Sequence, residues 1–300
     1  MDSPRFEQPR RAETRSRVVD GRIFDAPGGG DHDPRLYQCQ READSVAGLK
    51  DVDDEAIARY HQQGYLVVRQ AFTVGRIGAV KEALADAIDS ATPGSTAIQF
   101  ESWAVDELDK LDRRQKALAV RKFLNVTDHD PRLKAVARDQ QLLQLVGRLL
   151  GDKTPEVLQE MALLKPPGGR EKPWHQDRAY FNMAPGVPVV GCWLALDRAT
   201  AENGCMRISP ARHRGGAMTH FQLRDWQICD REVLDQQRVA VPLLPGGLLL
   251  FDSLLPHGTP TNQTRQERWA LQIHFCPIGA PRIDDRTRMT LFGFGGDDRA

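Results

Sequence analysis

A histidine and an aspartate separated by one residue, His175 and Asp177, are the first candidates for metal chemistry in this chain. In extended backbone, residues two apart point to the same side, so both side chains can hold one ion. His257, which follows the apolar run 247–251, is the candidate for a third ligand. Two imidazoles and one carboxylate on one face of an ion leave the opposite positions open, which suits Fe(II) handling a bidentate co-substrate and dioxygen. By itself the His-x-Asp step is equally typical of a surface histidine beside a solvated aspartate. Together with His257 and the segment that follows it, the pattern predicts an iron site formed by these three residues.

Arg268 opens a segment, residues 268–275, in which apolar and other residues alternate with period two. One face of this segment is apolar, and the other carries Arg268, Ala270, Gln272 and His274. Polar residues on so hydrophobic a strand indicate a barrel interior that binds a ligand. The planar fork of an arginine suits a carboxylate, because it makes two parallel charge-assisted hydrogen bonds. The alternatives are a surface cation for Arg268 and a hydrogen-bonded core histidine for His274, and for His274 we favour the second.

The elements that must position these side chains are predicted to be helices first and strands second. Short apolar runs separated by Gly, Pro and Asn begin at residue 157 and are typical of an antiparallel β barrel or jelly roll. The predicted strands cover 65–68, 157–165, 187–196, 238–242, 247–252 and 268–276. The predicted helices cover 55–63, 73–89 and 140–150. We therefore expect an α+β fold, a jelly roll buttressed on one side by N-terminal helices.

Residues 1–48 have a different composition, rich in Arg, Asp, Gly and Pro, with no sustained apolar period. We expect an extended or partly disordered arm, followed by a single catalytic domain over residues 49–300. A lid or a dimer strap is the alternative for the arm. Because every proposed ligand lies beyond it, deletion of the arm is expected to leave iron binding intact.

The composition of the chain argues against several classes of partner. Lysine and arginine total 41, and aspartate and glutamate also total 41, so no overall field favours nucleic acid or an anionic membrane. No apolar run reaches the length of a spanning helix and the start of the chain lacks a secretory signal, which predicts a cytoplasmic protein. The five cysteines include no CxxC pair, which argues against a disulfide framework and a thiolate zinc site. A small-molecule substrate is expected, and the oligomeric state is left open.

Several motifs in order resemble the phytanoyl-CoA dioxygenase family of Fe(II), 2-oxoglutarate-dependent oxygenases, over residues 51–275. They are residues 60–67 (YHQQGYLV), residues 174–177 (WHQD), residues 203–210 (NGCMRISP), and His257-Gly258-Thr259 followed by Asn262 and Arg268. The sequence departs from the family at Ala211-Arg212-His213, where a small residue and Ser-His are frequent. The departure touches none of the proposed ligands, but it leaves the substrate undefined.

The resemblance implies a double-stranded β-helix fold, with iron held by His175, Asp177 and His257. It also implies that Arg268 and the Thr259 hydroxyl hold the distal carboxylate of 2-oxoglutarate. Three further residues, Gln159, Trp193 and Lys122, match positions around the co-substrate, Lys122 near its inner carboxylate. Alternation independently places Gln159 on one face of its strand, whereas a core aromatic is an equal alternative for Trp193. The Asn203-Gly204 pair by itself indicates a hairpin.

The implied reaction consumes 2-oxoglutarate and dioxygen and hydroxylates, desaturates or cyclises a small organic molecule. A cupin-type metal-dependent hydrolase or isomerase is a rival that uses the same three ligands but leaves Arg268 without a task. A non-catalytic jelly-roll binding module is a second rival. Arg170, Lys172 and Arg178 flank the His-x-Asp step and are either a site for an acidic substrate group or a solvated rim. Tailoring of a specialised metabolite and oxidation of an acyl thioester both remain open, and we favour the former.

Overall fold

Most of the strands lie in the second half of the chain in the computed structural model, which describes residues 17–19, 22–24, 32–91, 97–100 and 104–293. The strands are β1 (Arg17–Val19), β2 (Arg22–Phe24), β3 (Arg41–Glu42), β4 (Val46–Gly48), β5 (Tyr65–Gln70), β6 (Ile98–Phe100), β7 (Val120–Leu124), β8 (Pro155–Lys165), β9 (Lys172–His175), β10 (Val190–Ala195), β11 (Met206–Ile208), β12 (His220–Gln222), β13 (Trp226–Ile228), β14 (Val239–Val241), β15 (Leu248–Asp252), β16 (His257–Thr259) and β17 (Arg268–Pro277). The helices are α1 (Asp54–Gln63), α2 (Val74–Asp89), α3 (Arg113–Ala119), α4 (Pro131–Ala137), α5 (Gln140–Leu149), α6 (Asp230–Leu234) and α7 (Asp285–Phe292).

Two sheets form the barrel. The larger has the strand order β4-β5-β15-β10-β17-β8-β7-β6, and the smaller has the order β3-β14-β11-β16-β9. Apolar side chains from both sheets share one core cluster, which includes Trp193 and Leu249 of the larger sheet and Ile208 and Val241 of the smaller. The predicted α+β jelly roll, a double-stranded β-helix with helices on one side, is confirmed.

The two faces of the larger sheet have different partners. Leu271 and Ile273 of β17 pack outward with the buried faces of α1, α2, α4 and α5 in one large cluster. Because side chains alternate along a strand, the other face of β17 points into the barrel. The helices therefore cover the outer face, and they leave the inner face for the site.

The predicted helices are confirmed, and their ends follow local capping chemistry. The Asp53 side chain accepts a hydrogen bond from Ala56 N at the start of α1, and Gly64 ends this helix in the left-handed conformation at φ 82°. Thr73 caps α2 and Asp139 caps α5 in the same way. No helix within the described residues is long and apolar enough to cross a membrane.

The six strands predicted from apolar patterns are present as β5, β8, β10, β14, β15 and β17, with bounds shifted by a few residues. Two short strands that were not predicted, β9 and β16, carry His175 and His257. Neither shows apolar alternation, because each is only three or four residues long and partly built from ligand-type residues. Pairing with neighbouring strands, and not local propensity, makes them extended.

Residues 32–48 of the predicted arm pack on the barrel. β3 pairs with β14 and β4 pairs with β5, both in parallel. Leu36 is fully buried in a cluster with Trp174, and the Tyr37 hydroxyl donates to the Glu171 carboxylate at 2.5 Å. The packed fold thus includes residues before position 49, because two isolated apolar side chains suffice to anchor a segment that has no periodic pattern. Part of the arm, residues 1–16, 20–21 and 25–31, lies outside the described residues.

The anchoring of this segment can be measured. Leu36→Ala should lower the free energy of unfolding by about 2–5 kcal/mol, because it leaves a cavity beside Trp174. Val74→Ala is the control, since Val74 is 66% exposed and the change should stay within about 0.5 kcal/mol. Urea unfolding of the two variants gives both values, and equal stability would show that residues 32–48 do not contribute to the core.

Candidate metal and co-substrate site

His175 and His257 are direct neighbours on the adjacent strands β9 and β16 of the smaller sheet, where they form a register pair. Their ring centroids are 4.3 Å apart. In each ring Nδ1 lies close to a backbone oxygen two residues earlier, at 2.8 Å from Pro173 O and 2.9 Å from Leu255 O. A proton on Nδ1 satisfies these carbonyls and leaves the Nε2 lone pair free, which is the form of histidine that binds a metal.

Asp177 lies at the start of a short 3-10 helix, Asp177–Tyr180, and its two oxygens have different neighbours. Oδ1 lies 3.2 Å from Nε2 of His175 and 3.5 Å from Nε2 of His257. Oδ2 accepts from Gln272 Nε2 at 2.9 Å and lies 2.8 Å from His274 Nε2. The inner face of β17 therefore holds one oxygen and turns the other toward the two imidazoles.

The three side chains fit a divalent ion. Their ligand atoms all lie within 4.8 Å of one another, and all three residues are buried. Burial, followed by the charge of His257, lowers the pKa of His175 to about 4, so its ring is neutral near pH 7. Burial acts to raise the pKa of Asp177, but His257 and His274 hold it well below its ordinary value. A neutral imidazole and an ionised carboxylate are the protonation states that a metal requires.

Arg268 is buried on the same inner face, with 3% of its surface exposed. Its Nε and Nη1 atoms have no hydrogen-bond partner among the described residues, and the guanidinium lies over the Trp193 ring at 5.2 Å. Burial lowers its pKa to about 10, which leaves the group charged near pH 7. A buried guanidinium with unused donors is costly unless an anion completes it.

The strand register shows where the other predicted co-substrate residues lie. Trp193 pairs with Gln272, and Gln159 pairs with His274, so both side chains lie on the inner face of the larger sheet. Lys122 pairs with Leu163 on β8, which places it on that face too. Thr259 is buried on β16, two residues after His257. Their contacts with a co-substrate remain predictions.

The cations that flank the His-x-Asp step have different surroundings. Arg178 is buried and donates through Nη2 to Met183 O at 2.6 Å and Ala184 O at 2.7 Å, so it fastens a loop. Lys172 makes an ion pair with Asp225 at 2.7 Å and lies 3.2 Å from the Tyr180 hydroxyl. The Tyr180 ring in turn lies edge-on to His175, 5.9 Å between centroids. Nη1 of Arg178 has no hydrogen-bond partner among the described residues, so the pairing of Arg178 with an acidic substrate group stays a prediction.

Two features of the site were missed or undervalued at the sequence level. His274 is a hydrogen-bonded buried histidine, as predicted, but its partner is the Asp177 carboxylate. In the sequence, the position of His274 on the same strand face as Arg268 was the signal that it belongs to the site. Lys165 was missed: it lies on the same face of β8 as Gln159 and is the direct strand partner of Arg268. No sequence signal separated it from a surface lysine.

Comparison with known proteins identifies the family. The family model of phytanoyl-CoA dioxygenase (PhyH) matches residues 60–270, which is most of the chain. The chain belongs to the phytanoyl-CoA dioxygenase family. A probable phytanoyl-CoA dioxygenase of Caenorhabditis elegans is 24% identical over 235 residues, covering 72% of this chain and 73% of the relative. This protein is thus a member of an iron- and 2-oxoglutarate-dependent oxygenase family.

Two solved structures share the fold of this phytanoyl-CoA dioxygenase family member. EctD from S. alaskensis, solved with 2-oxoglutarate and 5-hydroxyectoine, has a TM-score of 0.63 and 20% identity, covering 92% of this chain and 86% of EctD. The epimerase SnoN, solved with Fe3+, alpha ketoglutarate and nogalamycin RO, has a TM-score of 0.62 and 18% identity, covering 82% of this chain and 93% of SnoN. At these identities the likeness concerns the fold.

The role of His274 can be tested through metal affinity. His274→Ala removes a donor to Asp177 Oδ2 and should weaken Fe(II) binding by about 10- to 100-fold, as is common for partners of metal ligands. His129→Ala is the matched control, because His129 is exposed and its ring packs on Phe123 instead of on a residue of the triad. Anaerobic competition with a chelator measures both affinities. An unchanged affinity in His274→Ala would exclude a role in orienting Asp177.

Proposed function

We propose that this protein is an Fe(II)- and 2-oxoglutarate-dependent hydroxylase of a small organic molecule. In this proposal His175, Asp177 and His257 hold iron, and Arg268 with Thr259 binds the distal carboxylate of 2-oxoglutarate. The observation that carries it is the buried guanidinium of Arg268, whose Nε and Nη1 atoms have no partner among the described residues, on the same inner face that supports the triad. Membership of the phytanoyl-CoA dioxygenase family and the folds of EctD and SnoN support it.

The arrangement suits the binding of a dicarboxylic keto acid. Arg268 and Asp177 are joined by β17, since Asp177 contacts Gln272 and His274 of the strand that Arg268 begins. A ligand anchored at Arg268 by one carboxylate therefore extends along β17 toward the triad. The planar guanidinium can donate two parallel hydrogen bonds to one carboxylate, through Nη2 together with either Nη1 or Nε, and neither of the last two has a partner among the described residues.

When bound, iron and 2-oxoglutarate supply the oxidising chemistry, in which dioxygen converts the keto acid to succinate and carbon dioxide and oxidises the substrate. The residues of this chain orient the metal ligands and shield the site from water. The Oδ2 contacts fix the Asp177 carboxylate, and Phe181 and Phe251 pack against His274 with ring centroids 4.8 Å and 6.3 Å away. A buried aromatic surround excludes water and strengthens the electrostatic interactions inside it.

Hydroxylation is the proposed outcome, with desaturation and cyclisation as the alternatives within the same chemistry. For the substrate we propose a specialised metabolite, and the likeness to SnoN, a structure with nogalamycin RO, supports that choice. Oxidation of an acyl thioester is the alternative that the family name suggests. A cupin-type hydrolase or isomerase is less favoured, because it gives the buried Arg268 no partner.

Metal content separates the oxygenase from the hydrolase. Protein prepared anaerobically should bind one Fe(II) per chain, and His175→Ala or Asp177→Ala should lose most of it, because two remaining ligands compete poorly with water. Elemental analysis before and after mild chelation measures this. Zinc that persists in stoichiometric amount through chelation would favour the hydrolase.

The co-substrate assignment depends on Arg268. Arg268→Lys keeps the charge but loses the fork, so the affinity for 2-oxoglutarate should fall by roughly 30-fold to several thousandfold while iron stays bound. Arg265→Lys is the matched control, because Arg265 is exposed in the loop that precedes β17. Anaerobic titration that follows the visible charge-transfer band of the iron chelate, with succinate formation in air, gives both readouts. If the wild type shows no charge-transfer band and forms no succinate, the oxygenase proposal is refuted. An unchanged titration in Arg268→Lys would refute only the role of this residue.

A further inference from the structure

Lys165 ends β8 inside the barrel and is buried, with 7% of its surface exposed. Its Nζ atom donates to three oxygens: Thr259 Oγ1 at 2.9 Å, Pro260 O at 2.6 Å and Arg170 O at 2.9 Å. An ammonium group has three N–H donors, so all of them are used. Lys165 therefore has no donor left for a ligand of its own.

The contact between Lys165 and Thr259 fixes the direction of the threonine hydroxyl. An ammonium group only donates, so Thr259 Oγ1 accepts from Lys165, and its own proton must point elsewhere. No acceptor for that proton is found among the described residues. Thr259 is also buried, with 6% of its surface exposed. Lys165 thus leaves the Thr259 hydroxyl available as a donor to a bound ligand.

Lys165 and Arg268 are direct partners in the β8–β17 register, so two buried cations lie side by side. Within the described part of the chain, no carboxylate lies within hydrogen-bonding distance of either one. Burial, followed by repulsion from Arg268, lowers the pKa of Lys165 well below its usual value. A ligand anion beside the pair would offset this repulsion.

Two glycines keep the path of the Lys165 side chain open. A Cβ atom on Gly169 would lie 2.8 Å from Lys165 Cγ, and one on Gly204 would lie 3.1 Å from Lys165 Cδ and 2.7 Å from Pro260 O. Gly204 also has φ of 88°, which favours glycine. The Asn203-Gly204 turn, which the sequence indicated only as a hairpin, is therefore packed against the lysine. The surrounding loops hold Lys165 in one place.

We propose that Lys165 is a positioning residue for the co-substrate, which holds the Thr259 hydroxyl so that it donates, beside Arg268, to the distal carboxylate of 2-oxoglutarate. This inference rests on the proposed function. It makes Lys165 a determinant of selectivity for keto acids that carry a second carboxylate. It also predicts that Lys165 acts through Thr259, since its own donors are occupied.

A double-variant cycle with two ligands tests this mechanism. Lys165→Met, Thr259→Val and the double variant are compared with the wild type by anaerobic calorimetry of the Fe(II)-loaded protein. The ligands are 2-oxoglutarate and 2-oxopentanoate, which has the same length and a methyl group in place of the distal carboxylate. Lys153→Met is the matched control, because Lys153 is exposed in the turn before β8. Lys165→Gln replaces Lys165→Met if the latter does not fold.

Lys165→Met should weaken 2-oxoglutarate binding roughly tenfold in the wild-type background, the scale of one hydrogen bond to a charged group. In the Thr259→Val background it should weaken binding by less than about twofold, because the partner through which it acts is gone. Binding of 2-oxopentanoate should be nearly unchanged. Equal losses in both backgrounds, a matching loss for 2-oxopentanoate, or no loss at all would overturn the proposal. A wild-type protein that binds no 2-oxoglutarate would instead refute the proposed function.

Discussion

The carboxylate of Asp177 contacts side chains from both sheets of the barrel. One oxygen is held by Gln272 and His274 of the larger sheet, and the other faces His175 and His257 of the smaller. A buried carboxylate is costly without such partners, so both sheets must be in place for it to remain ionised. The geometry of the candidate metal site therefore depends on the packing of the whole barrel, and not on the His-x-Asp step alone.

The larger sheet has an apolar outer face and a mixed inner face, where apolar side chains such as Trp193 lie beside the charged Arg268 and Lys165. The outer face buries its side chains against helices α1 to α5, which provides hydrophobic stabilisation of the fold. The inner face buries Arg268 and Lys165, and no carboxylate of the described residues pairs with either, which opposes that stabilisation. Such a cost at one position is common where a protein binds a ligand, since the ligand supplies the missing interactions. In this chain the cost is concentrated around the proposed anion subsite.

A second group of charged residues connects the start of β9 to residues 32–48 and to the segment between β11 and β14. Glu171 accepts from Tyr37 and from Arg224 Nε, and Arg224 also makes two hydrogen bonds with Asp230. The neighbouring Lys172 contacts Asp225 and Tyr180, and the Tyr180 ring touches His175. Residues 32–48 and the segment between β11 and β14 are therefore coupled to the surroundings of the site.

The sequence by itself determined the class of fold, the longer elements and the three candidate ligands. Helical and strand periodicity reflects burial on one face, and caps such as Asp53 and Thr73 act within a few residues, so both can be predicted from the order of residues. The strands β9 and β16 could not be predicted this way, because a three- or four-residue strand is made extended by its neighbours. The anchoring of Leu36 and Tyr37, the contact of His274 with Asp177, and the three hydrogen bonds of Lys165 also join residues far apart in the chain. Such contacts depend on strand register and sheet packing, which local sequence does not encode, and so only the tertiary structure decided them.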